Sequence, residues 1–215
     1  MKKYTDDYHW PTYSDIYENQ CREIINNDGV HFLLDKTHVE NGKVLFEDKL
    51  YPSWQELYHL IIEKNIKQVF ECGCGPAYHL YNIKKLNPAA EIHGCELLES
   101  QIKIGVGMLK IPSVYFENIY ICDFTIPNVA SQISDKFEFV FTHTVTQHLR
   151  HELAVEFIKN MEQLSSKYIF LVENRNNHDY DNLFKECGLL DKYTLELRTH
   201  YPGPLTGMLL TKKSI

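Results

Sequence analysis

A few acids, two glycines and two histidines carry most of the chemical content of this sequence. Glu71 closes a short apolar run, and Gly73 and Gly75 follow it in Val69-Phe70-Glu71-Cys72-Gly73-Cys74-Gly75-Pro76-Ala77. That order reads as a buried strand, a tight turn whose backbone approaches a ligand, and a helix start. A Gly-x-Gly turn alone is common between strands and helices. Glu96 gives it meaning: it ends the next apolar run, near the distance, roughly 20 residues on, at which a second-strand acid reaches ribose hydroxyls. Farther along, Thr142-His143-Thr144-Val145-Thr146-Gln147-His148 offers two imidazoles able to take a proton near neutral pH. Glu173 is a third candidate base, at the end of another apolar run.

These residues need a scaffold that brings strand ends together, and the periodicities supply one. Strands are expected over 66–71, 91–96, 114–122, 137–142 and 168–173, with helical spacing between them. Ser53-Trp54-Gln55-Glu56 has the form of a capping box, and Trp54, Leu57, Tyr58, Ile61 and Ile62 share one helical face behind it. A second helix runs from Ala77 to the Asn87-Pro88 stop, a third over 98–109 despite Gly105 and Gly107, and a fourth through Leu149, Leu153, Phe157, Met161 and Leu164. A short helix over 181–187 ends at Gly188. The last strands, 194–200 and 208–211, are joined by a segment too short for a crossover helix, so they must be antiparallel. The fold class is α/β: a Rossmann-like, mostly parallel sheet with helices on both faces and a terminal antiparallel hairpin.

The segment around Glu71 resembles motif I of the class I S-adenosylmethionine-dependent methyltransferases, in which an acid precedes Gly-x-Gly-x-Gly. Ala77 stands at the third glycine position, and Asp123-Phe124 follows the third strand as in that superfamily. The resemblance implies S-adenosylmethionine as cofactor. Gly73 and Gly75 would run beside its methionine part, Glu71 would support their loop, and Glu96 would accept from both ribose hydroxyls. Leu97 would pack on the adenine, Asp123 and Phe124 would hold its edge, and Thr142 would lie at the strand end facing it. The Asn/Asp-Pro-Pro-Tyr/Phe motif of DNA and protein-amide N-methyltransferases is absent. The aspartate and Asp-Asn pair of metal-dependent catechol-type enzymes are replaced by Thr142-His143 and Glu173-Asn174, so no catalytic metal is expected. What remains is transfer to a hydroxyl or amine of a small-molecule acceptor, for example a sugar or a peptide-like precursor. A nicotinamide-dependent oxidoreductase shares the glycine turn and the second acid, but the terminal hairpin favours the methyltransferase. A non-catalytic cofactor-binding protein is the third alternative.

Residues 1–52 differ from the expected core of 53–215. Tyr8, His9, Trp10 and Tyr13 crowd its beginning, and 15–25 has partial helical spacing. It is either a lid over the ligand or packing against the sheet; 43–50 holds at most a short strand. The chain has 215 residues and a formal charge of −7, which disfavours a non-specific nucleic-acid binder. No apolar run approaches a membrane span, and no signal-peptide core follows the N-terminus, so a cytoplasmic location is expected. The six cysteines mostly fall on buried strands, without zinc spacing, as reduced apolar residues.

Overall fold

The computed structural model describes residues 10–23, 26, 29–200 and 204–214. Helix α1, Trp10–Glu23, comes first, and a small hairpin follows, β1 (His38–Glu40) and β2 (Lys43–Leu45), turning at Asn41-Gly42. The alternating part then runs α2 (Pro52–Glu63), β3 (Gln68–Cys72), α3 (Tyr78–Leu86), β4 (Glu91–Glu96), α4 (Glu99–Gly107) and β5 (Ile119–Ile121). It continues with β6 (Phe137–His143), α5 (His151–Leu164), β7 (Ser165–Asn174), α6 (Tyr180–Glu186), α7 (Leu189–Lys192), β8 (Tyr193–His200) and β9 (Leu205–Lys212).

The main sheet has the order β5-β4-β3-β6-β7-β9-β8. Strands β3 to β7 are parallel, and β9 inserts antiparallel between β7 and β8. From β3 the chain builds outward through β4 and β5, then returns to lay β6 on the other side of β3. The carboxyl ends of β3 and β6 therefore flank the switch in strand order, where open α/β sheets leave a crevice.

Burial explains why this sequence makes these layers. Five of the seven residues of β6 are buried, as a parallel strand covered on both faces requires. On one face Val69, Phe139, Phe141 and Phe170 pack with Trp54, Leu57, Tyr58 and Ile61 of α2 and Leu80 and Ile83 of α3. Val30, Phe32, Leu34, Val44 and Leu50 belong to that same core, so the described part of the N-terminal segment from Val30 on is built into the sheet's packing. On the other face Val140, Ile169 and Leu171 meet Ala154, Phe157, Ile158 and Met161, one apolar stripe of α5.

Three local expectations change. The strand expected over 114–122 contracts to Ile119–Ile121, because Ser113–Phe116 winds into a 3-10 turn. The capping box does not form: Pro52 opens α2 after Tyr51, which places Ser53 inside the helix. There its hydroxyl faces His143, and Glu56 pairs with Arg198 instead of a cap. Gly188, in the left-handed region, separates α6 from an unexpected turn of helix, α7.

Candidate functional site

The turn after β3 is held by its neighbour strand. The amides of Gly73 and Cys74 both donate to the Cys95 carbonyl at 2.9 Å. Gly73 sits at φ +71°, and a Cβ there would meet Val145 Cγ2 at 2.7 Å. Only glycine lets this turn lie against the loop after β6. Ala77, at the third position of the pattern, takes φ +60° as it starts α3 and is fully buried.

Glu96 closes the circuit. One carboxylate oxygen accepts from the Gly75 amide at 2.8 Å and the other from Leu98 at 3.0 Å. Burial pushes its pKa up while these amides oppose the shift. A carboxylate has about four lone-pair sites, so with the amides of Gly75, Leu97 and Leu98 on it Glu96 keeps capacity for a ligand's hydroxyl. At the end of β5, Asp123 accepts from the Thr125 amide at 2.9 Å and its hydroxyl at 2.6 Å, both on one oxygen. Phe124 is buried beside it, edge-on to Phe157 with ring centres 5.4 Å apart. Leu97 stands 41% exposed between the two acids.

These elements enclose a cavity of about 340 Å³ at the strand-order switch. Of the residues expected at the site, Gly73, Gly75, Glu96, Leu97, Asp123, Phe124, His143 and His148 line it. Glu71, Thr142 and Glu173 do not line it. Glu71 is buried beneath the turn, its carboxyl held well above the ordinary range by burial and by Glu96, with one oxygen unpaired. Thr142 is fully buried and its hydroxyl has no partner. Glu173 is also fully buried. It accepts the amides of Val145 and Thr146 at 3.0 Å on one oxygen and Gln147 at 3.1 Å on the other. It therefore shapes the loop between His143, at the end of β6, and His148; burial raises its pKa to about 7 against those amides.

Hydrogen bonds separate the two histidines. Gln147 accepts the Asn174 amide through Oε1, so its NH2 group faces His148 Nε2 at 3.1 Å. The accepting lone pair of a neutral His148 is thus already engaged. His143 has Ser53 Oγ at 3.2 Å from Nε2 and Thr144 Oγ1 at 3.4 Å from Nδ1. The Thr144 hydroxyl donates to the His143 carbonyl at 2.7 Å, so it can only accept from Nδ1. His143 is then protonated on Nδ1, with its basic lone pair on Nε2 facing Ser53. Burial pulls its pKa down to about 4, which keeps it neutral at pH 7.

Tyr8 and His9 lie outside the described residues, as do the side chains of Trp10 and Tyr13, although both belong to α1. From the same helix Tyr17 lines the cavity. Tyr17 and Ser53 were not singled out by sequence as site residues, since a tyrosine in a tyrosine-rich helix and a serine at a helix start each have a simpler reading. Leu149, Leu153 and Phe157 also line the cavity, where helical spacing indicated only core. Among the described residues, no group of three or more His, Cys, Asp or Glu side chains is arranged to hold a metal ion.

No family model and no curated protein matches the sequence. Solved structures do match. A magnesium protoporphyrin IX methyltransferase from Synechocystis, crystallised with S-adenosylmethionine, covers 91% of this chain and 97% of its own at TM-score 0.59 and 14% identity. The methyltransferase domain of bacterial CtHen1 covers 75% and 97% at TM-score 0.60 and 12% identity. The plantazolicin methyltransferase BpumL, in complex with S-adenosylhomocysteine, covers 74% and 80% at TM-score 0.54 and 13% identity. The chain has the fold of the class I S-adenosylmethionine-dependent methyltransferases.

Proposed function

We propose that this protein is an S-adenosylmethionine-dependent methyltransferase acting on a hydroxyl or amine of a small-molecule acceptor. The observation that carries the reading is the cavity at the strand-order switch, walled by the glycine turn, Glu96 and Asp123-Phe124. These residues fit the cofactor. Gly73 leaves room where a Cβ would strike Val145, Glu96 keeps capacity for a hydroxyl, and Asp123 has a second oxygen for an exocyclic amine. The order β7-β9-β8, with its antiparallel end, favours this reading over a nicotinamide oxidoreductase.

The bound cofactor would supply an electrophilic methyl group on a sulfonium. The residues of this chain bind and orient, and that is most of what such a transfer demands, since alignment alone is worth roughly 7–11 kcal/mol. Glu173 holds the loop 145–147 through three amides, between His143 at the end of β6 and His148, both of which line the cavity. His143 is the candidate favoured over His148, whose accepting nitrogen faces the Gln147 amide group, whereas the Nε2 of His143 faces the Ser53 hydroxyl. The acceptor's proton would pass to that nitrogen. The free, largely buried thiols accord with a reducing compartment such as the cytoplasm.

Isothermal titration calorimetry tests the reading. S-adenosylhomocysteine is expected to bind in the micromolar range and NAD not at all. Glu96→Ala is expected to weaken that binding by about 1.5–3 kcal/mol, the scale of hydrogen bonds to a charged group. Unchanged affinity in a folded variant would remove Glu96 from the site.

A further inference from the structure

Behind His143 lies a buried polar chain that the reading above does not use. Asn82 is fully buried, and its Oδ1 accepts the Leu34 amide at 3.0 Å. Its NH2 group must then donate, and it does so to the Phe32 carbonyl and to the Tyr58 hydroxyl, both at 2.8 Å. Tyr58 already accepts from Asn82, so its single proton goes to His79 Nδ1 at 2.9 Å. A neutral imidazole that accepts at Nδ1 carries its proton on Nε2. His79 is neutral, since burial holds it well below the ordinary histidine range. Its Nε2 is buried without a partner, and its ring centre lies 5.1 Å from that of His143, tilted by 48°.

We propose that Ser53, acting with Thr144 and backed by the packed chain Asn82–Tyr58–His79, positions His143 in the one tautomer whose Nε2 can take the acceptor's proton. The inference rests on the methyl-transfer reading, and its parts converge on one ring from two helices. From α2, the Ser53 hydroxyl lies 3.2 Å from Nε2 and, with the ring proton on Nδ1, donates to it. From α3, the His79 ring packs on His143, and it cannot adopt the other tautomer while Tyr58 donates to its Nδ1. The other titratable groups nearby are Tyr78, whose ring centre lies 4.2 Å from that of His79, Glu71 of β3, which acts on Tyr58 and Tyr78, and Tyr17 and His148, which line the cavity. In the transfer itself the acceptor's X–H bond breaks, the proton joins Nε2, and the electron pair stays on X.

Long-range proton–nitrogen spectra of protein labelled with ¹⁵N-histidine read both tautomers directly. The unaltered protein is expected to show His143 protonated on Nδ1 and His79 on Nε2, with His143 uncharged down to about pH 5, since burial pulls its pKa down to about 4. Ser53→Ala is expected to mix the His143 tautomers, and Tyr58→Phe those of His79, while Ser53→Thr, which keeps the hydroxyl, preserves both. Once an acceptor is found, Ser53→Ala should slow single-turnover transfer at least about tenfold, as misplacement of reacting groups does, at unchanged S-adenosylhomocysteine affinity. His143 protonated on Nε2 in the unaltered protein, or tautomers indifferent to Ser53→Ala and Tyr58→Phe, would overturn the proposal. Calorimetry of the unaltered protein tests the methyl-transfer reading separately: tautomers that respond as expected without ligand binding would leave the array standing and that reading lost.

Discussion

Glu173 shows how one buried carboxylate can serve a site it does not enter. Its two oxygens take three successive amides of the loop after β6, a concentration of donors that favours the ionised form. Burial opposes this and wins, raising the pKa to about 7 from an ordinary 4.5. The folded state thus retains a proton that the unfolded chain releases above about pH 4.5. Its contribution to stability is present below that pH and is lost as pH rises toward 7. Glu173→Gln, which cannot titrate, is expected to lack this dependence. The difference between variant and parent in urea unfolding should change by about 3 kcal/mol between pH 4.5 and 7, the parent losing relative stability as pH rises. A constant difference across that range would show Glu173 ionised throughout.

At the scale of elements, close backbone approach decides where glycine is needed. Gly73 and Gly42 have nearly the same conformation, φ +71° and +73°, but only Gly73 has a neighbour within reach of a Cβ. Gly42→Ala should cost only the left-handed strain, about 1–2 kcal/mol. Gly73→Ala should cost more, since the Val145 contact of 2.7 Å must also open. Urea unfolding ranks the two. S-adenosylhomocysteine binding should be lost in Gly73→Ala and kept in Gly42→Ala. The helix α4 meets the same turn from the other side: a Cβ on Gly105 would lie 2.5 Å from the Pro76 carbonyl. That close seat explains a glycine in a helix whose intrinsic propensity disfavours it.

Across the whole molecule, the N-terminal segment divides into a part that packs and a part that meets the site. Asp48 gathers the amides of Asp35, Lys36 and Thr37 on one oxygen, at 2.8–3.0 Å, and His31 on the other. With Asn82 it binds the segment 31–37 onto α2 and α3 as part of the core. Helix α1 instead reaches α4 and brings Tyr17 to the cavity. Hydrogen exchange with S-adenosylhomocysteine is therefore expected to add protection in α1 and in the loops 73–77, 96–98 and 143–148. It should leave 31–37 unaltered, because those amides are already bonded. Protection confined to the loops would make α1 packing and not a lid.

The strand ends were legible in the sequence because a parallel sheet buries both faces of each strand, and the apolar runs stop where the chain turns toward ligand. Glu71, Gly73, Gly75, Glu96 and Asp123 each sit at or just past such a stop, so local pattern sufficed to place them at one edge of the sheet. What each side chain faces was another matter. Glu71 and Glu96 both end strands as glutamates, yet one lies beneath the turn and the other lines the cavity. Ser53 reads as a helix cap, but the pairing of α2 with β6 across 90 residues turns its hydroxyl to His143. His143 and His148 cannot be ranked from spacing. Their difference lies in Gln147, Asn174, Thr144 and Ser53, and hydrogen-bond partners drawn from separate elements exist only once the sheet has brought those elements together.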